Sequence, residues 1–485
     1  MNKMIKTNFL IFLILIFSMN TGFTKNIILF ISDGCGYNTI EATTFYQFGE
    51  LNKQIYQQFP IQYAMSTFSL DNPEYDSQKA WTDFKYVLNK PTDSAASATA
   101  MATGVKTLNG KIGMDANNNI LLNAVEYYES LGKSTGVITT VPFAHATPAG
   151  FVAHDTSRNE YMQIAKEMIT ESAIDVIMGC GHPLYDDDSQ FATVQNYKWV
   201  GGRKIWNDLV RGIAGSDANG DSKPDFWEFI QDRSDFQALM SGSTPDRVIG
   251  IPKVRNTLQE GRSGDKKADA FAVPKLETVP SLAEMTRAAI NVLDNNQKGF
   301  FLMVEGGAVD WAAHGNLSGR MIEEEIDFNQ AVEAAIDWLN QNSSWNETTI
   351  IVTGDHETGY ITGPGSNDTT QVKEGLMSWK PLINNGKGKM PGLQWCTYEN
   401  EFIRRKGHYL QPLAGFRICH DSHIDRSLQA ILVNTGSFCV FDVKVDLWVD
   451  FKKCFDNNGY FIETHAIYGG NPNTPRHILS RRFHF

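Results

Sequence analysis

Three apolar runs in this chain each continue into acidic or imidazole side chains, which are typical metal ligands. A continuous apolar run predicts a strand buried on both faces, and open α/β sheets place ligands at the carboxyl ends of such strands. One such end could be ordinary turn chemistry, because Asp before Gly is common in turns. Three of them favour a metal site. The side chains that end the runs are Asp33, Glu305, and the pair Asp355 and His356.

Two further segments carry residues that could join such a site. Asp310 and His314 are four residues apart, so they could share one helical face and converge on a metal. Residues 141–158 contain His145, Thr147 and Arg158. By itself the second segment would be a polar loop, since a lone His is more often structural than a ligand.

A possible nucleophile lies in residues 91–104, a segment of Ala, Ser and Thr with almost no large side chains. Asp93 and Ser94 open the run and Gly104 stands where a C-terminal cap would fall, which predicts a short helix. Free N–H groups at its N-terminus would favour an anion beside the Ser94 hydroxyl. The alternative is a capped helix in which Ser94 is only the cap.

Several helices alternate with these strands: residues 122–132 and 280–296 are amphipathic, and residues 318–341 form a further strong helix. This alternation predicts an α/β fold with a doubly wound, mainly parallel sheet flanked by helices. Residues 183–285 are more polar and less periodic, so we interpret them as an inserted subdomain. The fold would bring Asp, Glu and His together at one edge of the sheet.

Within this insertion, oxygen-bearing side chains follow the spacing of an EF-hand-like calcium loop. The sixth position is Ser222, where the turn would prefer Gly. A solvated acidic loop is the alternative to calcium binding. The candidate ligands, at loop positions 1, 3, 5, 9 and 12, are Asp217, Asn219, Asp221, Asp225 and Glu228.

Composition sets limits on partners and location. The 485 residues carry a formal net charge of −12, which argues against a nucleic-acid or anionic-membrane partner, so any phosphate site must draw positive charge locally. Residues 1–24 predict a secretory signal, with an uncleaved anchor as the alternative, and hence a secreted or periplasmic protein without a later membrane span. Six Cys without regular spacing do not suggest a disulfide framework.

Together the motifs resemble those of the bacterial alkaline phosphatases over residues 25–395. The segment Asp-Ser-Ala-Ala-Ser-Ala-Thr-Ala resembles the family's nucleophile motif, which implies that Ser94 is the nucleophile and that Asp93 orients the phosphate-binding Arg158. The resemblance implies hydrolysis of phosphate monoesters through a phosphoserine intermediate. Small phosphomonoesters and inorganic phosphate would be the ligands, and a homodimer is possible.

The resemblance also implies two Zn²⁺ sites and one Mg²⁺ site. Asp33 would be the bridging carboxylate, and Trp311 occupies a position that is Lys, His or Trp among relatives. The implied ligands are Asp310 and His314 for the first zinc, Asp355 and His356 for the second, and His145, Thr147 and Glu305 around the magnesium.

One family feature is absent from the expected place. Relatives supply a third imidazole to the first zinc from a His-Thr pair, but residues 395–401 contain no His. Residues 396–485 depart from the family pattern, as a divergent tail or a shifted reading frame would. We therefore expect the first zinc to be held more weakly than the second, and turnover to be slow.

Three alternatives follow from these motifs. Within the same fold, the chain could be a phosphodiesterase or a sulfatase, although Ser94-Ala95-Ala96-Ser97-Ala98 lacks the Cys/Ser-x-Pro-x-Arg of sulfatases. Outside catalysis, it could be a metal- or phosphate-binding relative that is inactive or weakly active because of its C-terminus.

Overall fold

A mainly parallel β-sheet forms the centre of the computed structural model of the chain. The structure describes residues 25–395 except 66, 73–75, 77–78, 80–85, 87–89 and 367–379, and beyond residue 395 it describes the backbone of four strands. Lys25–His420 and Val433–Phe438 form one compact unit, which holds the site discussed below. The predicted signal and most of the atypical C-terminal region lie outside the described residues, and the proposed domain boundaries stay predictions.

Strands and helices alternate along the described chain. The strands are β1 (Asn26–Ser32), β2 (Ile61–Met65), β3 (Ser134–Pro142), β4 (Val176–Cys180), β5 (Gly215–Ser216), β6 (Asp225–Phe226), β7 (Glu228–Ile230), β8 (Val248–Gly250), β9 (Phe300–Gly306), β10 (Thr348–Gly354), β11 (Glu357–Thr358), β12 (Ile361–Thr362), β13 (Gln394–Trp395), β14 (Tyr409–Leu410), β15 (Ala414–Cys419), β16 (Leu428–Asn434) and β17 (Ser437–Val443). The helices are α1 (Tyr37–Phe48), α2 (Ser94–Thr103), α3 (Ala124–Ser130), α4 (Ala146–Val152), α5 (Tyr161–Thr170), α6 (Arg203–Val210), α7 (Arg233–Ala238), α8 (Leu282–Leu293), α9 (Ala308–His314) and α10 (Ser318–Asn342). Short 3₁₀ helices span Ile55–Gln58 and Lys198–Val200.

The sheet order aligns the strand ends that carry the candidate ligands. Seven neighbouring strands run parallel in the order β10-β1-β9-β3-β4-β8-β7, and β15 and β2 extend the sheet with antiparallel pairing beyond β10. Ser32 of β1 lies opposite both Gly306 of β9 and Gly354 of β10. The predicted α/β fold with a mainly parallel sheet is confirmed.

Helices cover both faces of this sheet. On β9, the Phe300 ring contacts Trp338 of α10 at a centroid distance of 5.6 Å, whereas the next residue, Phe301, stacks on Tyr128 of α3 at 4.9 Å. Successive strand side chains point to opposite faces, so the two contacts lie on different sides. Burying apolar side chains on both faces explains why the central strands read as continuous apolar runs.

The helix α2 forms as its composition predicts. The Asp93 carboxylate caps it by accepting a hydrogen bond from the Ala96 N–H at 2.9 Å, and Gly104 ends it with a φ of 74°. A Cβ added at Gly150 of α4 would come within 2.8 Å of the Ala98 Cβ. The small side chains therefore let α2 approach α4 closely, and this packing buries Ser94 at the helix start.

The predicted insertion contributes to the central sheet as well as to the surface. Its strands β7 and β8 pair in parallel at the edge beyond β4, while β5 and β6 form a separate antiparallel ladder. Across the part of the chain that the structure describes, no helix has both the length and the apolar character needed to span a membrane.

Candidate active site

Asp33 lies where two groups of ligand-type side chains meet. One group combines Asp33 with Asp310 and His356, and the other combines Asp33 with His145 and Glu305. Within each group, one ligand atom from each residue lies within 4.8 Å of the others. All five residues are buried. Asp33 directly follows β1, which lies between β9 and β10, so the sheet order places it between Glu305 of β9 and the residues that follow β10.

The end of β10 supplies His356 to the first of these groups and places Asp355 directly beside it. His356 Nε2 lies 3.3 Å from Asp355 Oδ2 and 3.5 Å from Asp33 Oδ1. The backbone N–H of Gly34 donates to Asp355 Oδ1 at 3.0 Å. The two neighbouring strand ends are therefore joined to each other directly beside the ligand atoms.

Helix α9 supplies Asp310 and His314. His314 Nε2 lies 3.3 Å from Asp310 Oδ1, as expected for residues four apart on one helix. Thr358 donates its hydroxyl to the same Asp310 oxygen at 2.6 Å, and its oxygen lies 3.4 Å from His356 Nδ1. Thr358 thus connects α9 to the end of β10.

Gly34 makes this close approach possible. Its φ is +68°, a backbone conformation that side chains disfavour. A Cβ at this position would lie 2.7 Å from Asp310 Oδ1. Any larger residue at position 34 would displace Asp310 from Asp33, which explains why Gly follows the strand-end Asp here.

The second group lies between β9 and the loop after β3. Thr139 of β3 donates its hydroxyl to Glu305 Oε2, because the register pairs these two residues. His145 precedes α4, and Thr147 lies fully buried in its first turn. The Trp311 ring meets the His145 ring edge-on at a centroid distance of 5.6 Å.

The start of α2 brings a hydroxyl and a guanidinium to these groups. Ser94 Oγ lies 3.2 Å from His356 Nε2. Arg158 Nη1 donates to Asp93 Oδ2 at 3.0 Å, and Arg158 Nη2 lies 3.3 Å from His145 Nε2. Asp93 therefore both caps the helix that presents Ser94 and fixes the Arg beside it.

Burial raises the pKa of the carboxyl groups at the centre of the site. Desolvation, followed by the charges of Asp355, Asp310 and Glu305, raises the pKa of Asp33 well above its usual range. Burial raises the pKa of Glu305 to about 7 and that of Asp355 to about 6. The site therefore holds more negative charge than its protein surroundings stabilise, and a bound cation would supply what they lack.

The pKa values of the two buried imidazoles shift downward, opposite to those of the carboxyl groups. Burial lowers the pKa of His356 to about 4, and burial followed by the Arg158 charge lowers the pKa of His145 well below its usual range. Both rings are therefore neutral near pH 7. A neutral imidazole is the form that ligates metals.

Several buried atoms in the site have no hydrogen-bond partner among the described residues, and buried polar groups are rarely left so. Their positions around Asp33 fit divalent cations, because carboxylate oxygens and neutral imidazole nitrogens are suitable ligands. The unpartnered atoms are Asp33 Oδ1 and Oδ2, Asp355 Oδ2, Glu305 Oε1, His145 Nδ1 and Thr147 Oγ1.

Sequence reasoning missed two of the hydroxyls that hold ligands in place. Thr139 lies inside β3, and only the β3–β9 register brings it to Glu305. Thr358 lies only two residues after His356, and this closeness in sequence is the signal that could have identified it. All the residues predicted for the site from the motifs lie together at this sheet edge; their individual roles stay predictions.

The candidate calcium residues lie elsewhere, on the surface of the insertion. Asp217 accepts hydrogen bonds from the N–H groups of Gly220 and Ser222 at 2.8 and 2.9 Å, and Asp225 accepts from Ala218 and Asn219. Asp221 accepts from the Lys223 N–H, and Glu228 lies exposed on β7. Calcium binding by Asp217, Asn219, Asp221, Asp225 and Glu228 stays a prediction.

The predicted gap in the first zinc shell cannot be located in the fold, because residues 396–408 lie outside the described part of the chain. Asp310 and His314 are thus the side chains that the described structure offers from α9. Glu399, Glu401 or His408 could replace the third imidazole, and all three lie outside the described residues.

Comparison with known proteins agrees with this geometry. The sequence profile of the family described as "Alkaline phosphatase" matches residues 24–398. Alkaline phosphatase 3 of Bacillus subtilis is 30% identical over 343 residues, which cover 69% of this chain and 61% of that relative's length. The chain thus spans about three fifths of this curated relative.

Solved structures show the same fold. The cold-active alkaline phosphatase of a psychrophilic Shewanella species is 26% identical with a TM-score of 0.53, covering 73% of this chain and 74% of that one. A variant of the TAB5 alkaline phosphatase, from an Antarctic bacterium, has Mg bound in its M3 site; it is 24% identical with a TM-score of 0.54, covering 82% and 91% of the two chains. With its fold, its strand-end ligands and a profile match over most of its length, the chain belongs to the alkaline phosphatase family.

Proposed function

We propose that this chain is a metal-dependent phosphatase that hydrolyses phosphate monoesters, with Ser94 as the nucleophile. The observation that carries the proposal is the convergence on Asp33 of two ligand groups, with Ser94 Oγ 3.2 Å from His356 Nε2 and Arg158 held beside it by Asp93. A hydroxyl, a cation-binding cluster and a guanidinium are the parts that phosphoryl transfer needs.

The proposed cofactors are two Zn²⁺ ions and one Mg²⁺ ion. Asp355 and His356 would hold one zinc together with Asp33, and the α9 residues Asp310 and His314 would hold the other. Asp33, Thr147 and Glu305 would hold the magnesium, with His145 beside it. When bound, these ions would make the Ser94 hydroxyl more acidic and stabilise negative charge on the ester and phosphate oxygens.

The chain's own residues then have distinct tasks. Arg158 would bind two phosphate oxygens with its planar fork, and the Asp93 ion pair keeps that fork in place. Ser94 would release its hydroxyl proton to solvent, and its Oγ would form a bond to phosphorus as the bond to the ester oxygen breaks. The leaving alkoxide would take a proton from solvent and depart as the alcohol. Water would then attack the phosphoserine, releasing inorganic phosphate and restoring Ser94.

The test is turnover of a chromogenic phosphomonoester by the metal-loaded chain, compared with Ser94→Ala. We expect the variant to lose turnover while its metal content stays near that of the wild type, because Ser94 is not needed to complete the ligand groups. Retention of most of the activity would overturn the nucleophile assignment. A variant of exposed Ser222 in the insertion serves as the matched control and should behave like the wild type.

The same assay separates the alternative functions. Faster hydrolysis of a chromogenic phosphodiester or sulfate ester than of the monoester would replace the proposed substrate class. Metal bound without turnover of any of these esters would indicate a non-catalytic metal- or phosphate-binding relative.

We further propose that the protein is exported, on the evidence of residues 1–24, and that it acts in the periplasm or outside the cell. The absence of a nucleic-acid partner and the formation of a homodimer also stay proposals. Mass measurement of the secreted protein would locate the cleavage site, and its sedimentation behaviour would give the oligomeric state.

A further inference from the structure

A lysine of the insertion lies beside the two segments that supply His145 and Arg158. Lys198 begins the short 3₁₀ helix Lys198–Val200. The neighbouring Trp199 packs tightly against Gly181, which directly follows β4. A Cβ added at Gly181 would lie 2.8 Å from the Trp199 Cβ, and it would lie 3.8 Å from the Cβ of Pro142 at the end of β3. Pro142 in turn accepts the backbone N–H of His145 at 2.8 Å. The 3₁₀ helix therefore lies at the same sheet edge as the site.

Aromatic rings hold the ammonium group of Lys198. Its Nζ lies 4.2 Å from the centroid of the Trp199 ring and 5.0 Å from that of Tyr161, and the two rings are 4.2 Å apart. Tyr161 begins α5, three residues after Arg158. Cation–π contacts of this kind orient a charge without neutralising it.

Lys198 differs from Arg158 in its partners within the described part of the chain. No Asp or Glu of the described residues forms an ion pair with it, and desolvation alone lowers its pKa. Arg158, by contrast, is paired with Asp93. Lys198 is thus a second cation at the sheet edge that carries the site, and none of the described carboxylates pairs with it.

We propose that Lys198 determines substrate preference by contacting a second anionic group, such as a carboxylate or another phosphate, on the alcohol part of the phosphomonoester. The proposal rests on the phosphatase function proposed above. Arg158 and Ser94 lie with the buried ligand groups and would take the phosphate that is transferred. Lys198 is only partly buried, on an aromatic surface, and therefore suits the part of the substrate that projects from the site.

The test compares two matched esters, phenyl phosphate and 4-carboxyphenyl phosphate, with the metal-loaded wild type and Lys198→Met. We expect kcat/KM for the carboxylated ester to fall about three- to fivefold in the variant, the size of one partly exposed ion pair, while the value for phenyl phosphate stays unchanged. Lys198→Arg should keep the preference. Lys204→Met, which removes an exposed lysine of α6 paired with Asp208, is the control and should change neither ester.

Binding measurements keep this test independent of turnover. Calorimetric titration with phenylphosphonate and 4-carboxyphenylphosphonate should show the same three- to fivefold loss, for the carboxylated ligand only. Equal effects on both ligands, or none, would overturn the role of Lys198 even if the enzyme hydrolyses phenyl phosphate. A binding preference that depends on Lys198 in a chain without turnover would support this inference and overturn the proposed phosphatase activity alone.

Discussion

Two regions of the molecule gather carboxylates, and they do so in opposite ways. At the strand-end site around Asp33, the carboxylates are buried and several of their oxygens have no hydrogen-bond partner among the described residues. In the surface loop from Asp217 to Glu228, Asp217 and Asp221 are exposed, and the loop's own N–H groups already donate to the carboxylates of Asp217, Asp221 and Asp225.

The difference indicates which cluster is the better candidate for binding a cation. A buried carboxylate without a partner costs several kcal/mol of desolvation, which a metal ion can offset. An exposed carboxylate that accepts backbone hydrogen bonds is stable in water as it stands. Sequence spacing alone made both clusters candidates for metal binding, whereas burial and missing partners distinguish the strand-end site.

The largest expected effect comes from removing the shared carboxylate. Asp33→Asn should reduce turnover about 10³-fold or more, since stabilisation by metal ions contributes several kcal/mol and each 1.36 kcal/mol is a factor of ten. It should also lower the metal content of both groups, because both contain Asp33. Metal analysis by mass spectrometry, together with a chromogenic assay, measures both effects.

The matched control for that variant is Asp217→Asn in the surface loop. It should leave the turnover and the metal content of the strand-end site unchanged. If the two substitutions reduced turnover equally, burial would not distinguish the functional carboxylates of the strand-end site from those of the surface loop. If Asp33→Asn kept its full metal content, Asp33 would not be a ligand.

A smaller effect is expected when the Arg158 guanidinium of the strand-end site is removed. Arg158→Ala should weaken inhibition by inorganic phosphate about 10- to 100-fold, because hydrogen bonds to charged groups contribute about 1.5–3 kcal/mol. Metal content should stay near wild type. Arg211→Ala, at an exposed position after α6, is the control. An unchanged inhibition constant in Arg158→Ala would remove Arg158 from the phosphate site.

Stability should depend on pH at the strand-end site when metal is removed. Burial raises the pKa of Glu305 to about 7 and that of Asp33 well above its usual range, so the native state keeps protons that the unfolded state has released above pH ~4. The native state therefore binds more protons, and the free energy of unfolding falls as pH rises from about 6.5 to 8. His145 and His356 oppose this only at lower pH, where the unfolded imidazoles become protonated.

Thermal unfolding with a chelator measures this dependence. We expect the melting temperature to fall by roughly 2–4 °C across that window. Glu305→Gln should make the fall smaller. A melting temperature that rises with pH in the chelated protein would contradict the assignment of excess buried negative charge to this site.

The smallest effect is expected at the surface loop. If the EF-hand-like spacing does bind calcium, 1 mM calcium should raise the melting temperature by only about 2 °C, because weak sites contribute little by mass action. Asp217→Asn should abolish the shift without changing turnover. If calorimetric titration with calcium showed no heat, the loop would be a solvated acidic turn that does not bind calcium.

The sequence predicted those parts of the site that depend on local pattern. An apolar run followed by Asp33 or Glu305 identifies a buried strand end, and parallel strands necessarily bring such ends to one edge. The hydrogen bond from Thr139 to Glu305 and the placement of Lys198 depend on strand register and on how the insertion packs, which no local pattern encodes. The short strands β7 and β8, of three residues each, are likewise too short for a periodicity to reveal that they join the central sheet.

The central claim is that the buried strand-end carboxylates hold metal ions beside a nucleophilic Ser94. The most direct measurement mixes the metal-loaded chain with a phosphomonoester, quenches with acid and maps phosphate on the peptide that contains Ser94. We predict phosphate on Ser94 in the wild type, accumulating if water attacks the phosphoserine slowly, and none in Ser94→Ala or Asp33→Asn. Turnover without phosphate on Ser94, or equal labelling of the Asp33→Asn variant, would contradict the account.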